Sequence, residues 1–168
     1  TRRVALYYHG VTDREKDSFE RQMRYLASHA CAVKPSEIKT ASANVPLLVA
    51  VTFDDAFLNL SKNALPVLKS CGIPAAICAP SAYLGKTPGW EMDEGCDDRD
   101  EPLMDVRELK RVSDEGFEIF SHTKTHPRLT SLDDRELAEE LTESKAALED
   151  VIGIPVCAIS YPHGACDD

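Results

Sequence analysis

The sequence predicts an α/β domain in which parallel strands form a sheet, open or closed into a barrel, with helices covering it. Three observations carry this. Apolar runs short enough for buried strands alternate with longer stretches of helical period. The runs are continuous rather than alternating, as strands covered on both faces require. Polar clusters directly follow the strands, where α/β sheets and barrels gather their chemistry.

Taken in order, "VALYY" (4–8) is the first strand. A helix over 15–29 follows, with Phe19, Met23 and Leu26 on one face. "PLLVAVTF" (46–53) is the second strand, and a helix over 59–71 ends at Gly72, with Pro74 opening the strand "PAAICA" (74–79). A helix over about 104–115 is closed by Gly116 and leads into "FEIF" (117–120). The last helix starts at Ser131, where "SLDD" offers a cap oxygen and acidic residues for the positive end of the dipole, and runs to Gly153. "VCAISY" (156–161) is the fifth strand. The stretch 85–102 breaks this rhythm, being long and acidic, and reads as a solvated loop. Behind the strands stand "HG" (9–10), "DD" (54–55), "SHTKTH" (121–126) and "PHG" (162–164), and all four clusters are expected at one mouth.

Composition removes several function classes. The chain of 168 residues is long enough to bury a core unaided by disulfides or metal. Asp plus Glu outnumber Lys plus Arg by 29 to 19, which disfavours nucleic acid, since binding a polyphosphate requires basic surface. No run approaches the roughly 18 to 20 apolar residues of a membrane span, and no signal sequence opens the chain, which begins at Thr1. Six cysteines show no C-x-x-C pair. They read mostly as small buried hydrophobes, which leans towards a reducing compartment and a cytoplasmic location.

The residues with chemistry suggest a metal. His122 and His126 are four apart, before Pro127, so that both imidazoles can face one ion. Zinc-type hydrolytic sites commonly add one carboxylate to two histidines and keep a position open for water. Asp54 and Asp55, adjacent behind an apolar strand, repel one another unless a cation stands between them; the alternative is a helix cap or turn pair. With one aspartate on the ion, the other stands beside the open position and removes a proton from the metal-bound water as it attacks a carbonyl. The sequence offers no G-x-S-x-G elbow and no cysteine with an evident histidine partner.

In "YYHGV", "VTFDDAFLNLSKNALPVLKSCGIPAAICAPSAYLG", "LKRVSDEGFEIFSHTKTHPRLTSLDDRELAEELTESKAALEDVIGIPV" and "AISYPHG", taken in that order, the chain resembles the polysaccharide deacetylases, carbohydrate esterase family 4 or the NodB homology domain. The resemblance implies a distorted (β/α) barrel of parallel strands and a metal-dependent hydrolase that removes acetyl groups from N-acetylated sugars or glycans. It implies Asp54 as catalytic base, and Asp55, His122 and His126 as ligands of a divalent metal, Zn2+ first, with Co2+, Ni2+ or Fe2+ as alternatives. Thr123 takes the hydroxyl place of the histidine motif. The stretch Pro162, His163 and Gly164 matches a motif that helps hold the oxyanion, the donor here being the His163 N–H.

This sequence departs from the family pattern in three places. Ala56 replaces the glycine that usually follows the paired aspartates. Ser160 stands where an arginine often pairs with the base. The chain ends at Asp168, so it reads as a single domain over 1–168, incomplete at the C-terminus after its third motif and without the later histidine expected as general acid. An inactive module of the same fold, or a hydrolase of another amide or of O-acetyl esters, is the alternative. An incomplete barrel leaves strand edges open to self-association. His163 is a candidate substitute acid, and His9 either orients substrate or a metal ligand from behind it or is simply a hydrogen-bonded histidine at a strand end. Trp90, the sole tryptophan, is a candidate sugar platform on the long loop. Family analogy points to the cell envelope, against the cysteines.

Overall fold

The computed structural model describes residues 1–42, 44–93 and 95–167. Five strands form one parallel sheet: β1 (Arg2–Tyr8), β2 (Cys31–Ala32), β3 (Leu47–Phe53), β4 (Ala75–Ala79) and β5 (Glu118–Ser121). The order is β1-β3-β4-β5, with the short β2 paired to Leu48 and Val49 of β3. Helices α1 (Lys16–His29), α2 (Asn59–Asn63), α3 (Leu65–Cys71), α4 (Val106–Asp114) and α5 (Asp134–Ile152) fill the connections. Apart from the helix over 59–71, each strand and helix foreseen from the apolar pattern through residue 153 is present within a few residues.

The core lies where helices meet one face of the sheet. Val51 and Phe53 of β3, Ala75, Ile77 and Ala79 of β4 and Ile119 of β5 pack with Phe19, Met23, Leu68, Leu109 and Leu148 from the helices. The opposite face carries a much smaller cluster, Ala76, Cys78 and Phe120. At β1 that second face is bare: Val4, Leu6 and Tyr8 are partly buried, whereas Arg3, Ala5 and Tyr7 are exposed. The expectation of strands covered on both sides thus holds for β4, whose five residues are all buried, and fails at β1.

Other expectations are corrected. The single helix over 59–71 is two, because Pro66 in the first turn of α3 has no N–H to continue the ladder. Gly72 does end it, in the left-handed conformation at φ 65°. The cap of α5 is Asp133 rather than Ser131: its carboxylate accepts from Glu136 N–H while the Glu136 side chain accepts from Asp133 N–H. The run 156–161 makes no regular strand, only an isolated parallel bridge between Ser121 and Ile159. Of the six cysteines only Cys78 is buried, and all are free; Cys157 is exposed because its segment pairs at one point and turns that side chain outward. β2 went unforeseen, its two residues being too few for a periodic signal.

Candidate metal centre

β3 delivers two aspartates to the carboxyl edge of the sheet. Asp54 N–H donates to Tyr8 O at 2.8 Å, one step past the β1–β3 ladder. The backbone then turns left-handed at Asp55 (φ 68°) and Ala56 (φ 56°). A non-glycine pair in this region costs about 1 kcal/mol or more per residue, a cost that a glycine at position 56 would escape. Through this turn the Asp55 carboxylate faces His122 and His126, with Oδ1 at 3.6 Å and 3.4 Å from their Nε2 atoms.

His122 ends the β4–β5 ladder, its N–H donating to Ala79 O. Its Nδ1 lies 2.9 Å from the Ser160 carbonyl, which only accepts, so Nδ1 carries the proton and Nε2 turns a lone pair towards Asp55. His126 is placed by a turn built on hydroxyls. Thr123 N–H donates to Ser121 Oγ (3.1 Å), and His126 N–H donates to Thr123 Oγ1 (3.0 Å). From α5, Ser144 Oγ donates to Thr123 O, and the Glu140 carboxylate accepts the N–H groups of Lys124 and Thr125, each at 2.8 Å. Thr123 (φ 66°) and His126 (φ 63°) are again left-handed. Trp90 stacks on His126 at 4.3 Å and 27°, so one of its faces serves this imidazole rather than standing free.

The set fits a divalent cation. The three donor atoms lie within 4.8 Å of one another, and a tetrahedral ion about 2.1 Å from each donor places them roughly 3.4 Å apart. Asp55 Oδ1 is buried without a hydrogen-bond partner, as is Nδ1 of His126. Burial, then the Asp54 and Asp98 carboxylates, push the Asp55 carboxyl up to about 7. Burial, then the His122 and His163 imidazoles, bring His126 down to about 3, and burial also lowers His122. Both imidazoles are therefore neutral ligands at physiological pH, and a cation would ease the ionisation of Asp55.

Around the set opens a cleft of about 810 Å³. His9, Asp54, Asp55, His122, His126, His163 and Gly164 all line it, so the four polar clusters do share one mouth. Pro162 is buried beneath it, while Thr123 is wholly buried and supports His126 instead. His163 (φ 60°) sets its ring edge-on to His126 at 4.9 Å. His9 stands edge-on to Tyr7 and makes no hydrogen bond to the ligand set among the described residues.

Three contributors were not foreseen, Asp98, Glu140 and Ser144, whereas Ser160 does face Asp54 in the place where the family resemblance puts an arginine. Asp98 brings the 85–102 loop onto the site, accepting from Gly10 N–H and Asn59 Nδ2, both at 3.2 Å. A Cβ on Gly10 would lie 2.1 Å from Asp98 Oδ1, so the glycine after His9 is the signal that an approach occurs there. Glu140 and Ser144 carried no signal distinguishing them from the polar face of α5.

Residues 43–168 match the model of the polysaccharide deacetylase family. YxkH of Bacillus subtilis is 25% identical over 95% of this chain, and the peptidoglycan-N-acetylglucosamine deacetylase PgdA of Listeria monocytogenes is 26% identical over 84%. The chain spans 56% of the length of YxkH and 26% of that of PgdA. Among solved structures, BC0361, a polysaccharide deacetylase from Bacillus cereus, superposes with a TM-score of 0.77 at 27% identity, over 100% of this chain and 53% of that one. IcaB from Ammonifex degensii superposes at 0.78 with 24% identity, over 98% and 76%, and speaks for the fold alone. The parallel sheet with its helices is that of the NodB-type deacetylases, whose strands form a distorted barrel. With its family model matched over three quarters of its length, the chain belongs to the polysaccharide deacetylase family.

Proposed function

We propose that the chain carries the catalytic centre of a metal-dependent hydrolase that removes N-acetyl groups from an acetylated glycan. The observation that supports this reading above all is the convergence of Asp55, His122 and His126 on one point, with Asp54 beside it at the floor of an open cleft. A divalent ion held by these three, zinc first by its ligand types, would supply Lewis acidity to the acetyl carbonyl and lower the pKa of water.

The remaining steps fall to the chain's own groups. Asp54, held at one carboxylate oxygen by the Ser160 hydroxyl, lines the cleft as acceptor for the proton of the attacking water, and that proton is the one the amine needs as the C–N bond breaks. The His163 N–H, at the mouth beside Gly164, is the proposed donor to the oxyanion that forms as water adds to the carbonyl. Thr123 holds His126 in place through its backbone. His9, just past the first strand's end, lines the same cleft and orients substrate there. Tyr7 and Tyr161, both half or more exposed at the mouth, offer aromatic faces for sugar rings. The relatives point the same way, PgdA being a peptidoglycan-N-acetylglucosamine deacetylase, and an envelope location would follow from such a substrate.

Acetate release from N-acetylglucosamine oligomers, set against O-acetylated xylan and an Asp54→Asn control, tests the proposal. Release from the oligomers that is lost in the variant supports it. Release from xylan alone makes the chain an esterase, and release from neither makes it a non-catalytic module.

A further inference from the structure

The geometry points to Ser160 as the positioning residue that orients both the proposed base and one proposed ligand, an assignment that rests on the deacetylase reading above. Three groups of this one residue are engaged. Its N–H donates to Ser121 O at 2.9 Å, and Ser121 N–H in turn donates to Ala158 O at 3.0 Å, so the backbone at 160 is tied to the end of β5. Its carbonyl accepts the Nδ1 proton of His122 at 2.9 Å, which fixes the tautomer that leaves Nε2 free. Its hydroxyl donates to Asp54 Oδ2 at 3.2 Å.

The consequence for Asp54 is asymmetry. Oδ2 is occupied by a donor, while Oδ1 is buried with no partner. A carboxylate free to turn about its last bond presents either oxygen. One pinned at Oδ2, with Oδ1 packed away from solvent, keeps a single orientation, and Ser160 thereby fixes how the carboxylate meets the water in the cleft. The tether is neutral, where a guanidinium would bring a second positive charge beside the ion. The Cys78 thiol, fully buried next to Asp54 and Ser160, adds a further uncharged neighbour below. The isolated bridge at Ile159 gains a purpose: a single pairing point suffices to bring one serine between base and ligand.

The test separates hydroxyl from carbonyl, because Ser160→Ala removes the first and keeps the second. Acetate release, ion affinity by chelator competition and thermal midpoint are measured for the wild type, Ser160→Ala, Ser160→Thr and Asp54→Asn with and without Ser160→Ala. Losing the hydrogen bond that the hydroxyl makes to the Asp54 carboxylate corresponds to a fall in kcat of about 10-fold or more in Ser160→Ala. KM and ion affinity stay within about twofold, and Ser160→Thr, which restores a hydroxyl, recovers most of the rate. In the Asp54→Asn background Ser160→Ala costs nothing further, since the serine acts through that carboxylate. An unchanged kcat in Ser160→Ala, a loss carried by KM or ion affinity, or a full additional loss on top of Asp54→Asn overturns the assignment. Should Ser160→Thr fail to fold, the Asp54→Asn cycle decides alone. A wild type that releases no acetate overturns the deacetylase reading and this role with it, whereas an active wild type matched by Ser160→Ala overturns only this role.

Discussion

The helix-covered face of the sheet and its carboxyl edge follow opposite rules. On the face, Val51, Phe53, Ile77 and Ile119 meet the apolar stripes of α1, α4 and α5, and the core holds few polar side chains. At the edge, all five described non-glycine residues with positive φ gather: Asp55, Ala56, Thr123, His126 and His163. Buried polar atoms without partners sit there as well, on Asp54, Asp55 and His126. The difference teaches that the face supplies the stability that holds the edge in a geometry it would not adopt alone. Substitutions should therefore divide cleanly, those at the edge acting on chemistry and those on the face acting on folding.

Asp54→Asn should give the largest effect. Losing the proposed general base should slow turnover by about 10²- to 10⁴-fold, while the folded state is unharmed or slightly favoured, because a carboxylate that repels Asp55 is gone. Acetate release and thermal midpoint on one preparation check both halves; a midpoint that drops with the rate breaks the division. Phe53→Ala is its mirror. Phe53 is fully buried between Tyr8 and Phe19, and its removal should cost about 3 to 5 kcal/mol in denaturant titration. Turnover per folded molecule should change far less, although Phe53 immediately precedes Asp54 in the chain.

The same division decides what the sequence could and could not disclose. Face residues obey periodicity, so β3, β4, α1 and α4 were legible from apolar spacing alone. Edge residues obey chemistry: paired aspartates behind an apolar strand are costly without a cation, and two histidines four apart can face one, which made one of the aspartates, His122 and His126 legible as a candidate set, the family resemblance then choosing Asp55. What stayed hidden depends on long-range approach. Asp98 reaches Gly10 across 88 positions, and Ser160 reaches Asp54 across 106; Gly10 marks only that some group approaches, and the family resemblance, not apolar spacing, marks position 160. The run 156–161 looked like a strand because periodicity cannot tell one pairing point from a full ladder.

Proton release on ion binding sharpens the comparison at intermediate scale. With Asp55 raised to about 7 and His126 lowered to about 3, the proton displaced at pH 6 comes from the carboxyl and not from the imidazoles. In the metal-free protein the raised Asp55 group contributes stability that is full below the usual carboxylate range, near 3.9, and is lost as pH rises through about 7. The lowered His126 group works in reverse, contributing stability present above the usual imidazole value and lost as pH falls through about 3. Between these limits the two slopes oppose one another. Calorimetry of zinc binding in buffers of different ionisation enthalpy should therefore find about one proton released from the ligand set near pH 5 to 6, whereas release at pH 8 would come from water bound to the ion. Release that climbs to two or more below pH 6 would mean that the histidines titrate normally, and that the edge is less desolvated than its burial indicates.

Ala56→Gly should have the smallest effect, and it measures the strain directly. At φ 56° an alanine is held where glycine rests easily, and relief of about 1 kcal/mol is expected from the backbone. The Ala56 methyl is also wholly buried, and losing it costs about 0.8 kcal/mol or more, with further cost from the freer unfolded chain. These terms nearly cancel, so stability should move by less than about 1 kcal/mol, with ion affinity unchanged because the turn itself is kept. A gain well beyond that would show that strain at the edge, and not packing on the face, limits the stability of this molecule. A loss of similar size would show instead that Ala56 belongs to the core it touches, and that the boundary between face and edge runs one residue later, at the point where Phe57 re-enters the buried interior.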